Sequence, residues 1–240
     1  GEAAVSALTA LAINSYADYE QLVGGVETLY KDSAAKVQQY AADAYKTSGM
    51  TANEYMTTAT SYAAALVSSL GGDTEQAAEL SNMAVSDMAD NWNKFGSSAD
   101  SVQAAYNGFA KGQFQLLDNL KLGYGGTKEE MERLLDDANK LNAAQGKYTD
   151  YSIDSFSDII LAIHDIQTEY DITGTTAKEA STTISGSLSA AKAAWANLVT
   201  GVADDNANFE QLISNFVDSA TTAASNIIPR IEVALNGAAK

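Results

Sequence analysis

The sequence predicts an all-α fold, in which multiple amphipathic helices are joined by short breaks built from glycine and a capping Thr or Asp. Three observations predict it. The 240 residues contain one proline, Pro229, and proline in a helix interior costs about 3 kcal/mol. Apolar residues recur at every third or fourth position, without the period of two that strands show. Glycines interrupt this pattern. The helices could be arranged as an elongated array.

The breaks share one pattern, which is glycine, then Thr or Asp, then Glu or Gln three residues later. It occurs in "GMTANE", "GGDTEQ", "GGTKEE" and "GTTAKE". Glycine closes a helix in the left-handed conformation. The Thr or Asp side chain accepts from an amide of the next helix, and the Glu or Gln reaches back to the cap. The candidate hinge and capping residues are Gly71, Gly72, Gly123, Gly125, Gly126, Thr127, Glu130, Gly174, Thr176 and Glu179.

The break "GYGGTKEE" is the most glycine-rich of them, and we interpret it as a helix end followed by a helix start. It lacks the G-x-x-x-x-G-K-[ST] spacing of a phosphate-binding loop and the G-x-G-x-x-G of a dinucleotide site. Glu129 and Glu130 already complement the dipole of the helix that follows.

Apolar stripes between the breaks predict helices of roughly 15 to 20 residues. The stripe that includes Tyr55, Tyr62 and Leu70 predicts one uninterrupted helix. The other stripes span residues 77–95, 131–141, 156–166 and 209–220. Small side chains surround Trp195, which favours close approach of two helix backbones. The segment "SNIIPRIEV" predicts a helix start with Pro229 in its first turn.

The chain divides in the sequence into an N-terminal helical region, 1–146, which contains the GYGG break, and a C-terminal helical region, 147–240. One continuous domain is the alternative. A length of 240 residues is enough for one or two domains with a core.

The charge excludes some partners. Net charge is −17, from 14 Lys and Arg against 31 Asp and Glu. Direct nucleic-acid binding needs clustered cations, and an anionic membrane surface would repel this chain. The sequence contains no cysteine, and it contains no apolar run of the length that a membrane span needs. We expect no cofactor.

Catalytic and metal patterns are weak. His164 is the only histidine, so a zinc site of the usual kind is not predicted. The acidic pairs Asp136 with Asp137 and Asp204 with Asp205 are adjacent in sequence and point apart on a helix, which does not suit paired-carboxylate chemistry. We therefore predict no catalytic, cofactor or metal residues and a protein that is not an enzyme.

Five stretches of the chain resemble the tail tape measure proteins of long-tailed bacteriophages and related prophages. The most specific is "AYNGFAKGQFQLLDNLKLGYGGTKEEMERLLDDA", residues 105–138. The others are residues 16–56, 68–96, 172–199 and 226–237, in matching order. They occur in order from residue 16 to residue 237, so the resemblance extends along nearly the whole chain.

The resemblance implies a structural role. Such proteins are helix-rich rulers in the lumen of the growing tail, where several copies lie side by side, tail tube protein polymerises around them, and tail assembly chaperones assist. They set tail length and leave the tube before the DNA. We expect this chain to be a segment of a longer parent, present in the host bacterial cytoplasm during assembly and then in the virion tail lumen. The family offers no catalytic residues to assign.

Two other function classes remain open at this point. One is a helical filament or secreted interaction protein without enzymatic activity, which shares the bias toward Ala, Ser, Thr and Asn. The other is a cell-wall hydrolase, which a zymogram would reveal.

Overall fold

The computed structural model describes residues 1–239, and their regular structure is helical. The helices are α1 (Glu2–Tyr30), α2 (Ala34–Thr47), α3 (Ala52–Ser61), α4 (Ala63–Ser69), α5 (Thr74–Phe95), α6 (Ala99–Ala110), α7 (Lys128–Ala144), α8 (Phe156–Glu169), α9 (Thr175–Thr182), α10 (Ile184–Val202) and α11 (Phe209–Ala238). Two 3-10 turns span Lys31–Ser33 and Leu117–Leu120. The all-α prediction is confirmed, since no strand occurs anywhere in residues 1–239.

Short polar side chains begin most of the longer helices. Each accepts a hydrogen bond from the amide three residues ahead, which satisfies one donor that a helix start leaves free. The capping residues with this bond are Thr51, Asp73, Ser98, Thr127, Ser155, Thr183 and Asn208. These bonds explain why the chain folds as many separate helices.

Two predicted helix boundaries are wrong. The stripe from Tyr55 to Leu70 lies on two helices, because the backbone at Tyr62 leaves the helical region with φ −123° and ψ 6°. The Tyr62 hydroxyl lies within hydrogen-bond distance of Ser81 Oγ, at 3.2 Å, and its ring packs edge-on against Phe156. These contacts fix the side chain at the break.

Pro229 is the second correction, because it lies inside α11 and not in its first turn. The helix starts at Phe209, where Asn208 caps it. Asn226 anchors the turn before the proline by donating to Ser181 O, Thr183 O and Ser187 Oγ at 3.1 to 3.3 Å. Pro229 itself is exposed.

The chain forms two compact units that interleave along the sequence. Unit 1 comprises residues 1–24, 39–55 and 176–239, and unit 2 comprises residues 25–38 and 56–175. The bounds of these units differ from those of the regions 1–146 and 147–240. The division into an N-terminal and a C-terminal region therefore stays a prediction from the sequence.

Unit 2 has a core of large side chains. Helix α5 lies at its centre and contacts α4, α6 and α8, while α7 packs on α8. Tyr30 is fully buried, and its hydroxyl donates to Ala59 O at 2.7 Å and lies 3.0 Å from Ser81 Oγ. The largest other buried side chains of this unit are Met56, Leu66, Met88, Tyr106, Phe109, Leu117, Leu120, Met131, Leu134 and Ile159.

Unit 1 has a thinner core of small side chains. Its main contact is the pair α10 and α11. Ala193 and Ala194 are buried against Tyr45, and Phe216 packs on this cluster. Gly201 lets the backbone of α10 approach Leu212, whose methyl would overlap a Cβ at that position. The close approach of two helix backbones, expected from the small residues around Trp195, stays a prediction.

Candidate functional site

The predicted break at Gly71 and Gly72 has the expected local geometry. Both residues adopt positive φ, at 65° and 92°. The Asp73 side chain then accepts from Gln76 N at 3.0 Å and begins α5. No atom lies within 4 Å of a Cβ built at either glycine, so the break is open to solvent.

The break from Gly123 to Thr127 is different, because only Gly123 has a positive φ, at 92°. Thr127 is the N-cap of α7 and accepts from Glu130 N at 3.2 Å. Glu130 reaches back to the amide of Gly125, at 3.1 Å, instead of to the amide of Thr127. A Cβ at Gly126 would overlap the carbonyl oxygen of Gln115, so this glycine permits a close backbone approach.

The third predicted break is at Gly174. Its φ is 83°, and its amide donates to Asp90 Oδ2 at 2.8 Å. Helix α9 begins at Thr175, so Thr176 lies within the first turn, where it is buried, and not before the helix. Glu179 lies in the following turn, and its carbonyl accepts from Thr183 N at 3.0 Å. The hinge role of all these residues stays a prediction.

A second apolar stripe on α11 is the most distinctive surface. One face of α11 packs on α10 through Leu212, Phe216 and Ala223. Beside it runs a stripe with successive spacings of four, four and three residues, which repeats every 11 residues. Its members are Phe209, Ile213, Val217, Ala220, Ala224, Ile228, Ile231 and Leu235. The six large members are 42% to 65% exposed.

This stripe is long and uncharged. Its ends lie 26 residues apart, which corresponds to about 39 Å along a helix. An 11-residue repeat gives 3.67 residues per turn, close to the natural helical period, so the seam stays on one side of a nearly straight helix. An apolar seam of this kind fits a second helix lying alongside.

Unit 1 also exposes apolar residues on α1. Val5, Leu8, Leu11 and Ile13 are 38% to 66% exposed. Of the 18 large hydrophobic residues exposed in residues 1–239, 15 belong to unit 1. Exposed apolar side chains concentrated in one unit are typical of proteins that bind a partner there.

Unit 2 holds a buried polar cluster between α5 and α8. The carboxylate of Asp87 is 2% exposed, and His164 Nδ1 lies 3.0 Å from its Oδ2. Burial raises the pKa of Asp87 to about 6, against the opposing effect of His164. The hydrogen bond to Asp87 raises the pKa of His164. Gln167 donates to Asp87 O at 3.0 Å and accepts from Asn91 at 2.8 Å, which ties the two helices together.

The cluster does not make a metal site or a triad. Among residues 1–239, no group of three or more His, Cys, Asp or Glu side chains could hold a metal ion. His164 faces one carboxylate, and the pair reads as a structural contact of the unit 2 core. No helix among the described residues has the length and apolar composition to cross a membrane.

Sequence patterns did not reveal two of these features. The apolar stripe predicted at residues 209–220 combined residues of the packed face of α11 with residues of its exposed face. The repeat of 11 residues in the sequence is the pattern that distinguishes the exposed face. Arg133, which binds the Gly123–Gly126 break, was also missed. It lies three residues after Glu130, a spacing at which helical side chains meet.

Comparison of the chain with protein-family models, with curated proteins and with solved structures finds no match.

Proposed function

We propose that this chain is a structural segment of a phage tail tape measure protein, which sets tail length, scaffolds assembly of the tail tube and leaves before the DNA. The resemblance of the sequence across nearly its whole length supports the proposal. The observation that carries it is the exposed apolar stripe of α11, because a ruler built from several copies needs helices that bind laterally. The proposed partners are further copies of the chain, the tail tube protein and tail assembly chaperones, in the tail lumen and before that in the host cytoplasm.

The net charge of −17 is compatible with that setting. A strongly acidic chain does not adhere to DNA, since like charges repel. It can therefore precede DNA through a common tube without binding it. The uncharged stripe is where copies can meet despite their overall repulsion.

Substitutions in the stripe test lateral binding between copies. We expect Val217→Glu and Ile231→Glu to reduce the mass of the assembled protein measured by light scattering, because each buries a charge at the contact. Both residues are about half exposed within one chain, so circular dichroism of the variants should be unchanged. The matched control is Ser214→Glu, which adds the same charge to an exposed position of α11 outside the stripe.

Two results would contradict the proposal. One is a wild-type chain that stays monomeric at every concentration. The other is an equal loss of assembly in Ser214→Glu, which would assign the effect to charge in general. A helical filament without a phage role shares the stripe, and mass spectrometry of purified tails from a phage that encodes this sequence distinguishes the two.

A further inference from the structure

We infer that Arg133 is a latch that holds the Gly123–Gly126 break closed on α7, so that this break opens only when a network of charged side chains is released. The latch belongs to unit 2 and would exist whether or not the chain serves in a phage tail. It differs from a glycine hinge, in which the backbone itself would supply the freedom.

The guanidinium of Arg133 uses several donors at once. Nε donates to Glu130 Oε2 at 2.6 Å, and Nη2 donates to Glu130 Oε1 at 3.1 Å. Nη2 also donates to the carbonyl oxygen of Gly123 at 2.8 Å. The group lies 4.2 Å from the centroid of the Tyr124 ring. One side chain of α7 therefore binds both the backbone and the aromatic ring of the break.

Neighbouring groups on the same face of α7 complete the network. Glu130 Oε1 accepts from the amide of Gly125 at 3.1 Å, and the hydrogen bond to Arg133 lowers the pKa of Glu130 to about 2. The Tyr124 hydroxyl donates to Asp137 Oδ2 at 2.6 Å, and Asp137 lies 3.8 Å from Arg133 Nη1. Positions 130, 133 and 137 recur at helical spacing, so a single face of α7 holds the break.

The break is also confined from its other side. At Gly126 the backbone passes so close to Gln115 that a side chain would not fit. Gly125 and Gly126 do not adopt positive φ, so they are not at the positions where glycine alone gives freedom. The break therefore lies between the Gln115 backbone and the Arg133 network.

The network is accessible to salt. The side chain of Arg133 is 48% exposed, and those of Glu130 and Asp137 are 32% and 36% exposed. Exposed ion pairs weaken as ionic strength rises, because the Debye length falls to about 3 Å at 1 M. A charge latch should therefore loosen in salt, whereas a glycine hinge should not respond.

The test is amide hydrogen exchange of the folded chain, resolved at Gly125 by NMR. We expect Arg133→Gln to speed exchange of the Gly125 amide roughly five-fold or more, since losing the charged donor frees local opening. Arg133→Lys should give a Gly125 exchange rate between those of the wild type and Arg133→Gln. Lysine keeps the positive charge but loses the paired guanidinium hydrogen bonds and the stacking on Tyr124. The control is Lys140→Gln, which removes one exposed cation from the same helix. Amides in the centre of α8 should keep their wild-type rates in every variant.

A salt series on the wild-type chain needs no variant. We expect exchange at Gly125 to rise with ionic strength in the wild type and to be flat in Arg133→Gln. Equal exchange in wild type and Arg133→Gln would overturn the latch, as would a salt response of the same size in both. Because neither result depends on tail assembly, the latch and the proposed function fail separately.

Discussion

Adjacent glycines in this chain have different roles, and Gly125 and Gly126 show it most clearly. A Cβ at Gly125 would lie 3.5 Å from Glu130 Cγ, which is ordinary contact, whereas a Cβ at Gly126 would overlap a backbone oxygen. The sequence predicted both as hinge residues, since the two positions look alike there. The difference depends on Gln115, which the fold brings to the break.

Alanine substitutions separate the two glycines. We expect Gly126→Ala to lower the free energy of unfolding by about 1 to 3 kcal/mol, because the backbone of Gln115 must shift. Gly125→Ala should be neutral or stabilising by about 0.5 kcal/mol, since alanine reduces the freedom of the unfolded chain. Urea unfolding of both variants measures this. Equal effects at the two positions would contradict the packing role given to Gly126.

Asp87 and His164 form the other residue-scale feature that the sequence could not predict. They lie 77 positions apart in the chain, and only the packing of α5 on α8 brings them together. Burial disfavours the charged form of Asp87, while Asp87 favours the charged form of His164. Both shifts raise a pKa, so proton binding stabilises the folded state at both groups.

The expected pH dependence follows from those directions. The Asp87 contribution is lost as pH rises from the ordinary value of 3.8 through about 6, and the His164 contribution is lost as pH rises above 6.5. We expect Asp87→Asn to remove about 3 kcal/mol of this fall in the free energy of unfolding. Urea unfolding at a series of pH values measures it, with the exposed Asp136→Asn as control. The same slope in wild type and Asp87→Asn would contradict the assignment.

At the scale of the helix, the sequence predicted where helices begin better than where a helix is interrupted. Asp73 and Thr127 begin helices as expected because a cap acts over three residues, and those residues are adjacent in sequence. The end of α3 before Tyr62 depends on Ser81 and Phe156, which belong to distant helices. Local patterns cannot contain that information, so the stripe from Tyr55 to Leu70 was predicted as one helix.

Pro229 gives a prediction for α11. Proline inside a helix lacks the amide that would donate to the carbonyl four residues earlier, which here belongs to Ser225. We expect Pro229→Ala to stabilise the end of α11 locally, by up to about 3 kcal/mol. Slower amide exchange at residues 226–233 measures the gain, and Arg230→Ala, at the next exposed position, is the control. Unchanged exchange would mean that the exposed end is not limited by Pro229.

At the scale of the whole molecule, the two units differ in how far they bury their large apolar residues. Unit 2 buries most of its large apolar residues, and its exposed ones are Leu116, Tyr148 and Tyr170, whereas unit 1 leaves most of its large apolar residues exposed. Composition predicted helices and small-residue contacts, but it could not assign segments to units, because each unit combines stretches that are distant in sequence. Only the packing of α11 on α10 determines which of its apolar residues form the exposed stripe.

The measurement that tests the ruler most directly is tail length in a phage that encodes this sequence, after in-frame duplication of the 240-residue segment. A helix rises about 1.5 Å per residue, so an extended duplicated segment should lengthen the tail by on the order of 360 Å in electron micrographs. A duplication with Val217→Glu and Ile231→Glu in both segments, which weakens lateral binding, should reduce the yield of complete tails. Tails of unchanged length, formed in normal yield with the duplicated protein inside them, would contradict the account.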